Sequence, residues 1–347
     1  AIKNLKGNIG SSDFDLSFNY FLGKNDSLRR KNNEVVLRSN NLNLNEIMAI
    51  KYNPATEETV VVETADAPFT INDIPFMDFV LDCDVKHFEY LDYKMDRVKG
   101  VITMNKNKTI DFKRCGFDMA GGKIRLSGQL DARDSMNILF TPRLFIKNLI
   151  LDQTLAKFQN FGQDYILSDN LSGLLNAKVK GSIPLNNDLT PKIEKTDLTL
   201  DIQILNGELR NYKPLQEFAS FFGDKNLNRI KFDTLDNVFI LKNNNISIPW
   251  MTINSSLGFI EVAGEQAMNE KMDMEYYLKI PLKLVTNVAA QKLFKKRTEE
   301  IDPEAEDEIQ YRGDKKISYV NIKMIGDMDD FSISLGKDKR EKRSKKV

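Results

Sequence analysis

The stretch Leu198-Thr199-Leu200-Asp201-Ile202-Gln203-Ile204 decides how the chain is read. Its apolar residues fall on every second position. In an extended strand all four would point to one face and the three polar residues to the other. The same alternation recurs at Ile124 and Leu126, broken by Arg125 and Ser127. It recurs again at Met274, Tyr276, Leu278 and Ile280, and near the end at Phe331, Ile333 and Leu335. Short polar turns separate these runs, among them Ala120-Gly121-Gly122, Asn186-Asn187-Asp188, Leu205-Asn206-Gly207 and Lys242-Asn243-Asn244-Asn245. A long succession of antiparallel strands, each with one buried and one wet face, follows from this pattern.

Helical spacing is rare. Pro214 opens a segment carrying Leu215, Phe218, Ala219 and Phe222, and Gly223 closes it. Asp152 is placed to cap a second helix bearing Leu155, Phe158 and Phe161. A third candidate, 282–297, sets Leu282, Val285, Ala289 and Leu293 in one stripe. Its Lys292, Lys295, Lys296 and Arg297 suit either an anionic membrane surface or the wet side of a helix packed on a sheet. Segment 295–314 is charged and poor in large apolar residues, as expected of a mobile loop, and the basic tail 337–347 is expected to be disordered.

Two segments match at a constant offset of 136 residues: 102–128 against 238–264. Ile102 meets Val238 and Met104 meets Ile240. Beyond a polar turn, Ile110 meets Ile246, Phe112 meets Ile248 and Phe117 meets Ile253. Ile124 then meets Ile260, Leu126 meets Val262, and Gly122 and Gly128 meet Gly258 and Gly264. Each unit reads as a three-strand meander, so equivalent positions are expected to share a face. The fold class is thus mainly β: an elongated, repeating antiparallel sheet, open as a β-groove, with two or three short helices.

Composition excludes several functions. The 347 residues carry 50 basic and 50 acidic side chains, so there is no cationic excess of the kind nucleic acid requires. No apolar run approaches the ~18 residues of a spanning helix. The opening Ala1-Ile2-Lys3-Asn4-Leu5-Lys6-Gly7 lacks an apolar signal region and reads as the interior of a β-protein. Two cysteines, Cys83 and Cys115, are too few for a disulfide scaffold; they read as small apolar strand residues or as a single bridge. The single histidine, His87, gives neither a zinc ligand set nor a triad with a nucleophile. No glycine-rich phosphate loop precedes a helix, and Asp329-Asp330 reads as turn chemistry. Trp250 fits a membrane interface or a half-buried strand position. Neither catalytic residues, a metal nor a cofactor is expected.

Further motifs cluster in the second half: Phe158-Gln159-Asn160-Phe161-Gly162-Gln163-Asp164-Tyr165-Ile166, Asn170-Leu171-Ser172-Gly173, Leu205-Asn206-Gly207-Glu208-Leu209, Tyr212-Lys213-Pro214-Leu215, Ile230-Lys231-Phe232-Asp233-Thr234-Leu235 and 245–256. Their order resembles the C-terminal region of AsmA-like cell-envelope proteins, and Leu5–Gly10 with Leu37–Leu42 is similar to the region before it. The resemblance covers most of the chain and is clearest over 150–281. With it the expected parts are a β-groove repeat region at 1–145, an AsmA-like C-terminal region with short helices at 146–294, the charged loop 295–314, which departs from the compact pattern of the family, final strands at 315–336 and the tail 337–347. It also implies a periplasmic location behind an inner-membrane helix that this chain does not include. The implied role is non-enzymatic lipid handling in outer-membrane biogenesis or phospholipid transport, as in the related TamB-like and bridge-like lipid-transfer proteins. Phospholipid acyl chains, envelope membranes and other envelope proteins are the partners implied. Candidate acyl-chain contacts are Ile124, Leu126, Leu198, Leu200, Ile202, Val238, Ile240, Ile246, Ile248, Val262 and Ile280. A packed scaffold domain in the envelope, pairing through exposed strand edges, is the alternative.

Overall fold

The computed structural model describes residues 2–19, 33–48, 50–53, 58–61, 70–71, 74–90, 92–157, 167–212, 216, 225–269, 271–285, 307–313, 317–327 and 330–338. The chain opens with β1 (Ile2–Ile9), β2 (Ser12–Asn19), β3 (Asn33–Asn43), α1 (Leu44–Met48), β4 (Ile50–Asn53) and β5 (Glu58–Val61). A meander follows: β6 (Phe79–Tyr90), β7 (Tyr93–Asn105), β8 (Thr109–Met119), β9 (Gly122–Asp131) and β10 (Ile138–Ile150), then α2 (Leu151–Lys157). The rest comprises β11 (Leu171–Leu185), a 3-10 turn (Ile193–Lys195), β12 (Asp197–Arg210), β13 (Arg229–Lys242), β14 (Asn245–Ser255), β15 (Gly258–Ala267), β16 (Met274–Pro281), β17 (Tyr319–Gly326) and β18 (Phe331–Leu335). Sixteen strands form one open, mostly antiparallel sheet in chain order, with only the β4–β5 hairpin set apart. β3 and β6 pair in parallel, because α1 and the β4–β5 hairpin intervene in the chain.

Contacts divide the chain into two compact units. Unit 1 holds Ala1–Lys147 and Lys178–Thr196; unit 2 holds Asn148–Ala177 and Asp197–Val347. Within unit 1, register puts the apolar alternation on one side throughout. Leu16 faces Leu37, Leu37 faces Cys83, Leu81 faces Ile102, Ile102 faces Phe112, and Leu126 faces Leu144. A buried cluster of Ile71, Leu130, Ala132, Ile138 and Leu185 closes part of that side. In unit 2 the same pattern is packed more heavily. Leu151 and Leu155 of α2 bury against Ile204 and Phe232, and Leu227, Ile230, Leu257, Met274, Leu278, Ile280, Ile322 and Met324 form a second cluster.

The second hairpin of the sequence repeat recurs in full. In β8–β9, Phe112 opposes Gly128, the register then shifts, and Cys115 opposes Leu126 and Phe117 opposes Ile124. In β14–β15, Ile248 opposes Gly264, the register shifts at the same place, and Met251 opposes Val262 and Ile253 opposes Ile260. The first hairpin departs from the ungapped match. Asn105 pairs with Thr109 across a three-residue turn, whereas Lys242 pairs with Asn245 across Asn243-Asn244 alone. Both of these asparagines hold positive φ (51° and 60°), the pattern of a type I′ hairpin. One residue fewer in the turn reverses every side chain of the preceding strand. Ile102 and Met104 therefore correspond to Phe239 and Leu241, not to Val238 and Ile240.

Two expected helices fall mainly outside the described residues: 214–223, of which Gln216 alone is described, and 282–297, of which 282–285 are described and helical. The third is α2. Asp152 stands inside its first turn rather than ahead of it, where a carboxylate still favours the helix N-terminus. Phe158 and Phe161 lie outside the described residues.

Two positions show what holds the ladder in register. Gly128 (φ +155°) sits across from Pro142, and a Cβ there would collide with the Thr141 carbonyl oxygen. Gly128→Ala is expected to destabilise the fold by about 2 kcal/mol or more, read as a lowered urea midpoint. Asp13 on β2 clamps β3 by accepting the backbone N–H groups of Asn41 (2.6 Å) and Asn40 (2.9 Å). These N–H groups hold its carboxyl below the usual carboxylate range. A depressed folded-state pKa means that the stabilisation is complete above the unfolded value and fades as pH falls through the folded one. Asp13→Asn should therefore lower stability at neutral pH and leave it nearly unchanged at pH below the folded value, so that the acid limb of the stability–pH curve flattens, as urea titrations across pH would show.

Candidate functional site

The strongest candidate is an apolar sheet face that its own unit only partly covers. In unit 1 this face carries Ile2 and Leu5 on β1 and Phe18 on β2, exposed by 48%, 51% and 37%. Leu16, Leu37, Leu81, Ile102, Phe117, Leu126, Leu144 and Ile146 continue it across the strands, each half-buried. Register explains the continuity: cross-strand partners share a face, so one alternating pattern per strand sums to an apolar surface. Each half-buried side chain leaves area in water, and removing such area is worth about 25 cal/mol per Å². The opposite face of unit 1 is polar, with Asp13, Asp15, Arg38, Asp82, Asp84, Lys99, Lys123 and Arg125 among its residues.

The eleven candidate residues divide by position. Leu126 lies half-buried on the apolar face of unit 1, next to Ile124, which is buried. In unit 2, Leu198, Leu200, Ile246 and Ile248 lie half-buried on the apolar face; Leu198 faces Leu241, which faces Ile246. Ile202 packs against the α2 cluster and Val262 against the larger cluster, where Ile280 is fully buried. Val238 and Ile240 do not join them. They face Asp201 and Thr199 on the polar side and are 41% and 40% exposed, because the shorter β13–β14 turn reverses that strand. The sequence signal for this was available: Asn243-Asn244 is a two-residue hairpin pair, whereas 106–108 needs three.

His87 pairs with Asp96 at 2.8 Å, both largely exposed. Cys83 and Cys115 are free; they lie on β6 and β8, on either side of Gly100 of β7, and burial pushes both thiols up. Trp250 stands at the β14 register shift with the Lys279 ammonium 4.0 Å above its ring, and its indole nitrogen is buried without a partner among the described residues. Beside it, Glu261 accepts from Tyr319 (2.9 Å) and pairs with Arg312 (2.9 Å) and Lys279 (3.5 Å). Residues 307–313, the described part of the expected 295–314 loop, are tied down there: Asp307 pairs with Lys225, and Gln310 donates its backbone N–H to Ser255. Among the described residues there is no group of three or more metal-ligating side chains, and no helix long and apolar enough to cross a membrane.

The chain matches no family model, no curated protein and no solved structure.

Burial separates surface from core in a way substitutions can read. Leu126→Asp, on the partly covered face, is expected to leave a folded protein, losing about 1–3 kcal/mol. Ile280→Asp places a charge in a dry cluster and should abolish cooperative folding of unit 2. Circular dichroism melts of the two variants would check this, and equal losses would contradict the distinction.

Proposed function

We propose that the chain is a non-enzymatic lipid-handling module whose apolar sheet face holds phospholipid acyl chains. The single observation behind this reading is the continuity of that face in unit 1, exposed from Ile2 and Leu5 to Phe18 and half-buried from Leu37 to Ile146. Acyl chains need area and conformational latitude rather than directed polar groups, and such a face offers area without catalytic machinery. Unit 2 contributes Leu198, Leu200, Ile246 and Ile248 on its own apolar face. The resemblance to AsmA-like proteins supports the same reading and extends it to a periplasmic setting, where the module would act in outer-membrane biogenesis or phospholipid movement between envelope membranes. A second reading, a scaffold for other envelope proteins, draws on β1, which is an edge strand of the sheet with a largely exposed surface.

Native mass spectrometry of protein purified from an envelope-containing host tests the first reading. Phospholipid retained at defined stoichiometry, and lost in Leu126→Asp and Leu144→Asp variants that still fold, is the expected result. A lipid-free mass that stays unchanged after incubation with phospholipid would favour the scaffold.

A further inference from the structure

The polar sides of the sheet are largely charge-paired. In unit 1, Lys6 meets Asp15 at 3.4 Å, Arg38 meets Asp82 at 2.9 Å and Lys99 meets Asp84 at 2.9 Å. In unit 2, Lys242 meets Asp197 at 3.1 Å and Lys323 meets Glu275 at 2.8 Å. One cluster of neighbouring cations departs from this. On β8–β10, Lys113, Arg114, Lys123, Arg125, Arg143 and Lys147 are all exposed, and none forms an ion pair among the described residues. The bulge in β8 sets Lys113 and Arg114 together against Ser127, which Arg143 faces from the other side. Lys147 lies directly across from Lys123, a like-charge pairing that costs stability. The carboxylate across from Lys123 on the other side, Asp118, is already taken by Arg97.

A phenyl ring stands among these cations. Phe145 faces Arg125 on the polar side and is 53% exposed. With Arg97, Lys99, Arg114, Lys123 and Arg125 it lines a shallow basin of ≈ 570 Å³. Unrelieved repulsion and an exposed aromatic residue both cost the isolated protein free energy. Both costs are recovered on a surface that presents a plane of negative charge with apolar material immediately behind it.

We propose that this patch seats unit 1 on the surface of an anionic phospholipid bilayer, with its lysines and arginines on headgroup phosphates and Phe145 in the interfacial layer. Guanidinium groups grip phosphate oxygens in pairs, and each cation near such a surface strengthens attachment. The patch spans three neighbouring strands, about 10 Å across them and about 14 Å along them, so it meets several headgroups at once. A single-stranded nucleic acid would call for several exposed stacking aromatic residues, and Phe145 is the only exposed one among the described residues of this patch. An acidic protein would seat a protruding ring in a matching pocket. A bilayer accepts the ring without one. This inference does not rest on the acyl-chain reading, since it concerns the opposite face.

Co-sedimentation of the full chain with vesicles tests it, using phosphatidylcholine alone against phosphatidylcholine mixed with phosphatidylglycerol. Binding is expected only to the anionic vesicles and should collapse in molar salt. The variant Lys123→Gln/Arg125→Gln/Arg143→Gln/Lys147→Gln should bind about fivefold more weakly for each cation removed, and Phe145→Ser should weaken binding further. Lys6→Gln/Arg38→Gln, which removes two ion-paired cations of the same face, should change binding little. Leu144→Asp, on the apolar face and outside the basin, should retain vesicle binding even where it loses co-purified lipid, which separates the two readings. Equal binding to neutral vesicles, no binding by the parent, or an unaffected fourfold variant would overturn the proposal.

Discussion

Cross-strand register is the constraint on which the rest depends. Side chains alternate with a period of two, so an antiparallel ladder that stays in step keeps an apolar surface on one side and a charged one on the other. Each pairing transmits this choice to the next strand: Leu16 to Leu37, Leu37 to Cys83, Leu81 to Ile102. A single slip would mix the faces. The register shifts that do occur are local bulges, and the strands recover their sidedness after them, as Phe112 and Cys115 do across from Gly128 and Leu126. Bulges of this kind add twist without exchanging the faces.

Coverage distinguishes the two units more than patterning does. In unit 2 the α2 helix and the cluster around Leu257, Ile280 and Ile322 occupy most of the apolar side, and the 307–313 segment is fastened over the polar side through Glu261 and Ser255. Unit 1 has a smaller closed cluster around Ile71 and Ile138 and leaves apolar side chains half in water over many strands. Uncovered apolar area costs a protein stability and solubility, and this cost is what motivates the acyl-chain reading. The unpaired cations of β8–β10 follow the same logic with charge in place of apolar area.

The lipid-handling and bilayer-seating readings assign different ligand parts to different faces. Acyl chains would meet the side carrying Leu126 and Leu144, and headgroup phosphates the side carrying Lys123 and Lys147. Nothing in either role requires an activated nucleophile or a poised acid. The free cysteines lie in a half-buried setting that raises their pKa, which suits packing rather than reactivity.

Local sequence was enough for the fold class, for the alternation along the strands and for the recurrence of one hairpin. Alternation, turn residues and paired glycines are local properties, and they act through the backbone period and through positive φ. Gly128 and Gly264 take the same place beside a register shift, Gly128 at positive φ and Gly264 pressed against the Tyr276 ring. Tertiary structure alone decided which side chains stay accessible. Ile280 and Leu200 are indistinguishable as alternating strand residues. One is sealed beneath Leu257 and Met324, and the other remains half exposed, because burial depends on segments distant in sequence. The reversal of Val238 and Ile240 lies between these cases. It was written in the two-residue turn Asn243-Asn244, yet its consequence became visible only when Leu241, and not Ile240, paired with Ile246. The basic patch escaped the sequence for the same reason. Zero net charge is a sum over the whole chain, whereas the repulsion between Lys123 and Lys147 arises from one cross-strand contact.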